Sequence, residues 1–135
     1  MTQPRPSPPR LQLRLTLDGD VAVGPGKIAL LEAIERHGSI AAACREMRLS
    51  YKKAWQLIET MNRHLENPVL ETRAGGSQRG GAVVTPTGRA LIARYRALLD
   101  KVTELAEAEQ LLMLLASSES RGDVEDARPD EAPQS

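Results

Sequence analysis

Residues able to recognise nucleic acid are concentrated in one short segment of the sequence, residues 50–56 (SYKKAWQ). A serine at the start of a helix accepts backbone N–H groups. Lysine binds phosphate or guanine, and glutamine can form two hydrogen bonds with adenine. If a helix begins here, its first turns could enter the major groove of DNA. The candidate DNA-binding residues are Ser50, Tyr51, Lys52, Lys53, Trp55 and Gln56.

Four of these side chains have an alternative interpretation. Trp55 is the one tryptophan of the chain, and a ring of this size commonly anchors a core. Tyr51 could pack at the start of the helix in the same way. Lys52 and Lys53 could be solvated charges, although two lysines at this end of a helix are well placed for DNA. Both interpretations stay open at this point.

A glycine-rich segment, residues 74–81 (AGGSQRGG), follows farther along the chain. It contains no Gly-Lys-Ser/Thr and joins two strand-like runs, so it does not have the pattern of a phosphate-binding loop. We interpret it as the tip of a wing. There, Gln78 and Arg79 could contact the DNA backbone or enter the minor groove. The alternative is a hairpin tip that contacts nothing.

The sequence offers little for catalysis or metal binding. Cys44, His37 and His64 have no paired metal-ligand spacing, and no Ser-His-Asp or Cys-His pattern occurs. We therefore predict no enzyme activity, no metal site and no cofactor. A single cysteine suits a reducing compartment. Neither a signal peptide nor an apolar run of about 18 residues is evident, so we expect a cytoplasmic protein with no membrane contact.

The elements that would position the candidate residues follow from local patterns. Alternating leucines in 11–17 and a turn at 18–20 predict a β-hairpin. Three helices are then expected, starting near Pro25, at Ile40 after a Ser39 N-cap, and at Tyr51. A second hairpin, with strands near 69–73 and 82–84, follows. Three helices and a hairpin predict a mainly α fold with small β content, a winged helix-turn-helix with a long C-terminal dimerisation helix.

The last predicted helix begins after Thr85-Pro86 and continues to about Ser117. Apolar residues step along it by alternating intervals of four and three, the spacing of a coiled-coil seam. This pattern favours a homodimer, whereas the alternative is a helix that packs on its own domain. The predicted dimerisation residues are Leu91, Tyr95, Leu98, Val102, Leu105 and Leu112.

Composition divides the chain into four predicted regions. They are a disordered arm (1–10), a DNA-binding domain (11–88), a dimerisation helix (89–117) and a disordered acidic tail (118–135). Residues 1–101 contain 16 Lys and Arg against 9 Asp and Glu, whereas residues 102–135 contain 2 against 9. A basic body joined to an acidic tail is one pattern that suggests nucleic acid. Ordinary solvated charge is the alternative.

Three segments together resemble a known family. They are GPGKIALLEAIERHGSIAAACREMRLSYKKAWQLIETMNR, PVLETRAGG and GGAVVTPTGRALIARYR, and they cover about residues 11–100. The segment SYKKAW, the MN that follows it and the ETRAGG…GGA hairpin closely resemble the N-terminal domain of ModE molybdate-responsive regulators. They are more distantly similar to the winged helix of LysR-type regulators. The family usually has a Gly-Lys-Gly run where this chain has residues 76–79 (GSQR).

The resemblance implies a cytoplasmic homodimer that binds double-stranded DNA at an inverted-repeat operator near molybdate-uptake genes. It also places base recognition on Ser50, Tyr51, Lys52, Lys53 and Gln56. Full-length family members continue into β-rich molybdate-binding modules, and the residues after Asp100 show no such pattern, so we expect no direct molybdate binding. An alternative function is an interaction partner that dimerises with a full-length regulator and modulates it.

Overall fold

A computed structural model describes residues 8–73 and 81–125, with side chains described as far as residue 116. The described part forms two compact units. Gln12–Leu99 make up one unit, and the second contains residues 8–11 and the chain from Asp100 onward. The first unit holds the expected helices and hairpins. The elements are β1 (Leu15–Leu17), β2 (Asp20–Val23), α1 (Pro25–His37), α2 (Ile40–Met47), α3 (Tyr51–Arg63), β3 (Leu70–Arg73), β4 (Gly81–Val84), α4 (Pro86–Thr103) and α5 (Ala106–Glu125).

Two antiparallel hairpins flank the three-helix core. β1 and β2 are joined through Asp18 and Gly19, which both have positive φ, as a two-residue type I′ turn requires. β3 and β4 pair in register from Leu70 opposite Val84 to Arg73 opposite Gly81. The mainly α fold with two small sheets confirms the winged helix-turn-helix prediction.

The predicted helix boundaries around the helix-turn-helix are confirmed by their caps. Gly38 adopts φ 73° after α1, and its N–H donates to the carbonyl of Ile34. The Ser39 side chain then accepts the N–H of Ala42 at 3.0 Å and starts α2. These contacts satisfy backbone groups that would otherwise have no partner at the helix ends.

An aliphatic core joins α1, α2, α3 and the β3–β4 hairpin. Its fully buried side chains include Leu31, Ile34, Ile58 and Met61. Cys44 is also buried here, and burial raises the pKa of its thiol, so the group stays protonated at neutral pH. This core fixes the position of α3 relative to the two helices before it.

The first strand of the predicted hairpin, over residues 11–17, is wrong in extent. Only Leu15–Leu17 form β1, and Leu15 and Leu17 are exposed. Leu13 instead packs against a second small cluster, and its carbonyl accepts the Tyr95 hydroxyl at 2.8 Å. A carbonyl bonded to a side chain does not extend a sheet ladder, so the strand begins later than the leucine alternation suggests.

The predicted continuous C-terminal helix is also corrected, because α4 ends at Thr103 and α5 begins at Ala106. At the break the N–H of Leu105 donates to Val102, three residues back, instead of four. The β-branched Val102 and Thr103 weaken the helix locally. Glu107 and Glu109 favour a new helix start because acidic groups stabilise a helix N-terminus.

The boundary of the acidic tail needs the same kind of correction. Helix α5 extends to Glu125, so residues 118–125 are helical and the expected disorder is wrong there. The predicted arm over residues 1–7 and the rest of the tail, 126–135, lie outside the described residues.

Candidate nucleic-acid interface

A tight turn sets α3 against α2. Arg48 adopts the left-handed conformation with φ 57°, which reverses the chain direction after α2. The carbonyl of Cys44 accepts the backbone N–H of both Arg48 and Leu49. Two bonds to one carbonyl make this turn compact, and three residues, 48–50, separate the end of α2 from the start of α3. This is the local geometry of a helix-turn-helix.

Ser50 fixes the start of α3. Its hydroxyl oxygen accepts the N–H of Lys53 at 3.0 Å, and the residue remains exposed. The predicted N-cap is therefore confirmed. The hydroxyl is engaged with the backbone of its own helix and defines where the first turn begins.

The exposed and buried faces of α3 are clearly separated. Ala54, Ile58 and Met61 are buried in the core. The opposite side carries exposed residues at intervals of four, three and four, which places them on one face of the helix. They are Lys52, Gln56, Glu59 and Arg63, called here the outer face of α3.

Glu59 is not among the candidate DNA-binding residues named from the sequence. On the outer face it follows Gln56 by three residues and lies one turn farther along the helix. A carboxylate at a base edge can accept a hydrogen bond from the amino group of cytosine. The signal that could have identified it is its spacing from Lys52 and Gln56.

The two aromatic residues lie at one edge of α3. Their ring centroids are 6.3 Å apart at an interplanar angle of 72°, an edge-to-face contact. Tyr51 is 55% exposed, whereas Trp55 is half-buried and packs against the core. Trp55 therefore has a packing role, as the alternative interpretation held, and it supports Tyr51 at the surface.

Two ion-pair clusters connect α3 and α2 to their neighbours. The Glu46 carboxylate on α2 accepts from Arg36 at 2.8 Å and lies 2.6 Å from His37 on α1. The hydrogen bonds from Arg36 and His37 lower the pKa of Glu46. At the other end, Arg63 donates to Asp20 on β2 at 2.7 Å and, with His64, lowers the pKa of Asp20.

The β3–β4 hairpin is fixed to the helices at its base. The N–H of Ala82 donates to the carbonyl of Gly38 at 2.9 Å, and Ser39 pairs with Gly81. Asn62 on α3 accepts the N–H of Val69 at 2.9 Å. The hairpin thus leaves the domain next to the α1–α2 turn, where a wing is expected. The predicted wing residues Gln78 and Arg79 lie outside the described residues.

The predicted dimerisation residues occupy different environments. Tyr95 is buried and bonded to Leu13 within its own domain, so its assignment to a dimer seam is corrected. Leu91 also packs partly against that core. Leu98 and Leu105 are exposed, and Val102 and Leu112 are half-buried.

Among the residues that the structure describes, no helix is long and apolar enough to cross a bilayer. In the same residues no group of three His, Cys, Asp or Glu side chains could hold a metal ion.

Comparison with known proteins agrees with this geometry. Residues 26–89 match the family described as bacterial regulatory helix-turn-helix protein, lysR family. The chain is 45% identical over 104 residues to the molybdenum transport protein ModE of Azotobacter vinelandii, covering 70% of this chain and 38% of that protein. It is 47% identical over 92 residues to the molybdenum-pterin-binding protein MopA of Rhodobacter capsulatus, covering 68% and 35%.

A third relative bears a name that states DNA binding. The chain is 39% identical over 83 residues to the DNA-binding transcriptional dual regulator ModE of Escherichia coli K12, covering 62% of this chain and 32% of that protein. The chain therefore spans 38% or less of the length of each of these three relatives. In all three comparisons this chain aligns with only a part of a longer relative.

Proposed function

Residues 26–89 belong to the lysR family of bacterial regulatory helix-turn-helix domains, in the form found at the N-terminus of ModE proteins, and from this premise we propose a dimeric, sequence-specific transcription regulator. The family is one of DNA-binding regulators and is not an enzyme class. The observation that carries the proposal is the outer face of α3. Its polar residues are exposed, and the opposite face of the same helix is buried in the core.

In the proposed mechanism α3 lies in the major groove. Lys52 contacts guanine or phosphate, Gln56 pairs with adenine, and Lys53 contacts the sugar-phosphate backbone. A second copy places its own α3 in the next major groove, about 34 Å away, so the operator is an inverted repeat. Contacts to phosphate release counterions, and affinity falls as salt rises.

Helix α5 supports the proposed homodimer. Leu111, Leu114 and Leu115 follow the spacing of one helical stripe and are 53%, 62% and 48% exposed. Three large apolar side chains in one stripe are costly to leave in water, and burial against a second copy would remove that cost. We propose that this stripe, with the neighbouring Leu105 and Leu112, forms the dimer contact.

Replacement of Leu111 by glutamate is expected to shift the protein from dimer to monomer, because a carboxylate in an apolar contact loses its hydration. Light scattering on the full chain measures the mass directly. Met113→Glu introduces the same group at an exposed position on the side of α5 opposite this stripe, and is expected to remain dimeric. A Leu111→Glu variant that stays dimeric would place the contact elsewhere.

Selection of genomic DNA tests the proposed function as a whole. Purified chain is incubated with sheared genomic DNA, with and without molybdate, and the retained DNA is sequenced. We expect enrichment of an inverted repeat upstream of genes for molybdate uptake, an expectation drawn from the names of the relatives. We expect no effect of molybdate, because no β-rich module occurs in the residues that the structure describes.

Two other results of the DNA selection would contradict the proposal in part or in whole. Enrichment that responds to molybdate would require an oxyanion site within these 135 residues and contradict that part of the proposal. No enrichment would overturn the regulator proposal. The exposed stripe on α5 would then favour the second candidate function, a partner that dimerises with a full-length regulator.

A further inference from the structure

A basic groove lies beside the outer face of α3. One open cavity of about 410 Å³ lies between β2, the first turn of α1 and α3. A second, of about 250 Å³, continues it toward Arg14 and Gly24. The two share Val21, Lys27 and Leu57 as lining residues and so form one groove. None of the DNA-contact predictions from the sequence included Lys27 or Arg14.

Three cations from separate parts of the sequence meet in this groove. Lys53 comes from the first turn of α3 and Lys27 from the first turn of α1. Arg14 precedes β1, and its side chain lies over Gly24, where a methyl group would come within 3.4 Å of its Cγ. In the part of the chain that the structure describes, none of the three forms a salt bridge.

The acidic groups that line the groove leave this charge largely uncompensated. Asp20 is already engaged by Arg63 at 2.7 Å and by His64 at 3.3 Å. Glu59 is exposed on the outer face of α3. Lys27 is half-buried, and its burial, followed by the nearby charge of Lys53, lowers its pKa, although the Asp20 carboxylate acts in the opposite direction. A half-buried ammonium next to two other cations is stabilised by an anion from outside the domain.

The position of the groove identifies that anion. An α-helix with its side chains is about as wide as the major groove, so the two DNA strands pass along both edges of a helix seated there. Tyr51 and Trp55 occupy one edge of α3, and the basic groove opens along the other. Lys53 and Gln56 both line the groove; Lys53 is adjacent to Lys52 in the chain, and Gln56 is itself a proposed base-reading residue.

We propose that Lys27 and Arg14, together with Lys53, bind the phosphates of the DNA strand that passes along this edge of α3. The proposal rests on the proposed DNA-binding function and adds a second contact surface, from α1 and the segment before β1, to the recognition helix. Phosphate contacts carry no base preference, so this groove sets affinity and orientation.

The test compares Lys27→Gln with the wild-type chain on two short duplexes. One carries the sequence most enriched from genomic DNA, and the other has the same bases in scrambled order. Affinity is measured by fluorescence anisotropy between about 50 and 200 mM salt. We expect Lys27→Gln to weaken binding to both duplexes by a similar factor, about fivefold to tenfold, and to reduce the salt slope by about one per subunit.

Two control variants separate a local contact from a general charge effect. Lys27→Arg keeps the positive charge and should retain most of the affinity. Lys101→Gln removes an exposed lysine outside the groove and should leave both affinity and slope near the wild-type values. Circular dichroism checks that each variant is folded.

The outcomes distinguish this inference from the function on which it depends. If the wild-type chain binds the enriched duplex and Lys27→Gln binds with unchanged affinity and slope, the groove is not a phosphate contact. An equal loss in Lys101→Gln would likewise overturn it, because bulk charge would explain the effect. Absence of DNA binding by the wild-type chain would overturn the proposed function itself.

Discussion

Replacing Lys52 and Gln56 together by alanine is expected to reduce affinity for the enriched operator by at least about 100-fold. Each base contact of this kind contributes about 1–3 kcal/mol of discrimination, and 1.4 kcal/mol corresponds to a factor of ten. A homodimer loses both contacts in two half-sites. Lys52 and Gln56 are exposed on the outer face of α3, so their removal leaves the core unchanged.

The loss should be larger for the operator than for a scrambled duplex, because base contacts carry the sequence preference. This pattern is opposite to the uniform weakening expected for Lys27→Gln. The double variant Lys101→Ala with Gln110→Ala removes the same two residue types at exposed positions that belong neither to α3 nor to the basic groove, and should bind normally. Unchanged operator affinity in the Lys52/Gln56 variant would show that another face of the domain reads the bases.

The features predictable from the sequence are those specified by residues close together in the chain. Gly38, Ser39 and Ser50 each determine a helix end through backbone conformation or one hydrogen bond to a residue three or four positions away. The positions of α2 and the start of α3 follow from them. Recognition-helix candidates could be chosen because they are consecutive residues on one helix.

Features that depend on distant residues were not predictable in this way. Tyr95 fits a coiled-coil spacing, yet its hydroxyl is bonded to Leu13, 82 positions earlier, and its ring is buried. The break between α4 and α5 contains neither glycine nor proline, so its sequence signal is weak. The basic groove is assembled from Arg14, Lys27 and Lys53, whose proximity exists only after folding.

Substitution of alanine for Gly88 is expected to destabilise the domain by about 2–4 kcal/mol, which lowers Tm by roughly 10–20 °C for a domain of this size. Gly88 is buried in the first turn of α4. A Cβ there would lie 2.5 Å from the carbonyl oxygen of Val69 and 2.7 Å from a methyl carbon of Val84. The nearest of these atoms belongs to the backbone and has little freedom to move.

Movement of α4 to relieve that clash would disturb the buried Thr85. Its N–H donates to the carbonyl of Val69 at 2.9 Å, and its hydroxyl donates to Pro68 at 2.6 Å and accepts the N–H of Gly88 at 3.1 Å. The clash and the loss of these hydrogen bonds therefore both lower the free energy of unfolding of the Gly88→Ala variant. Thermal unfolding followed by circular dichroism measures the effect on the free energy of unfolding.

Gly26→Ala is the matched control, since Gly26 is also in the first turn of a helix but has nothing within 4 Å of its Cβ position. Alanine there should be neutral or stabilise by up to about 1 kcal/mol, because alanine has the higher helix propensity. A Gly88→Ala variant as stable as the control would mean that α4 packs farther from β3 and β4. Since those strands form the base of the wing, such a result would also remove the structural basis for placing the wing beside the DNA.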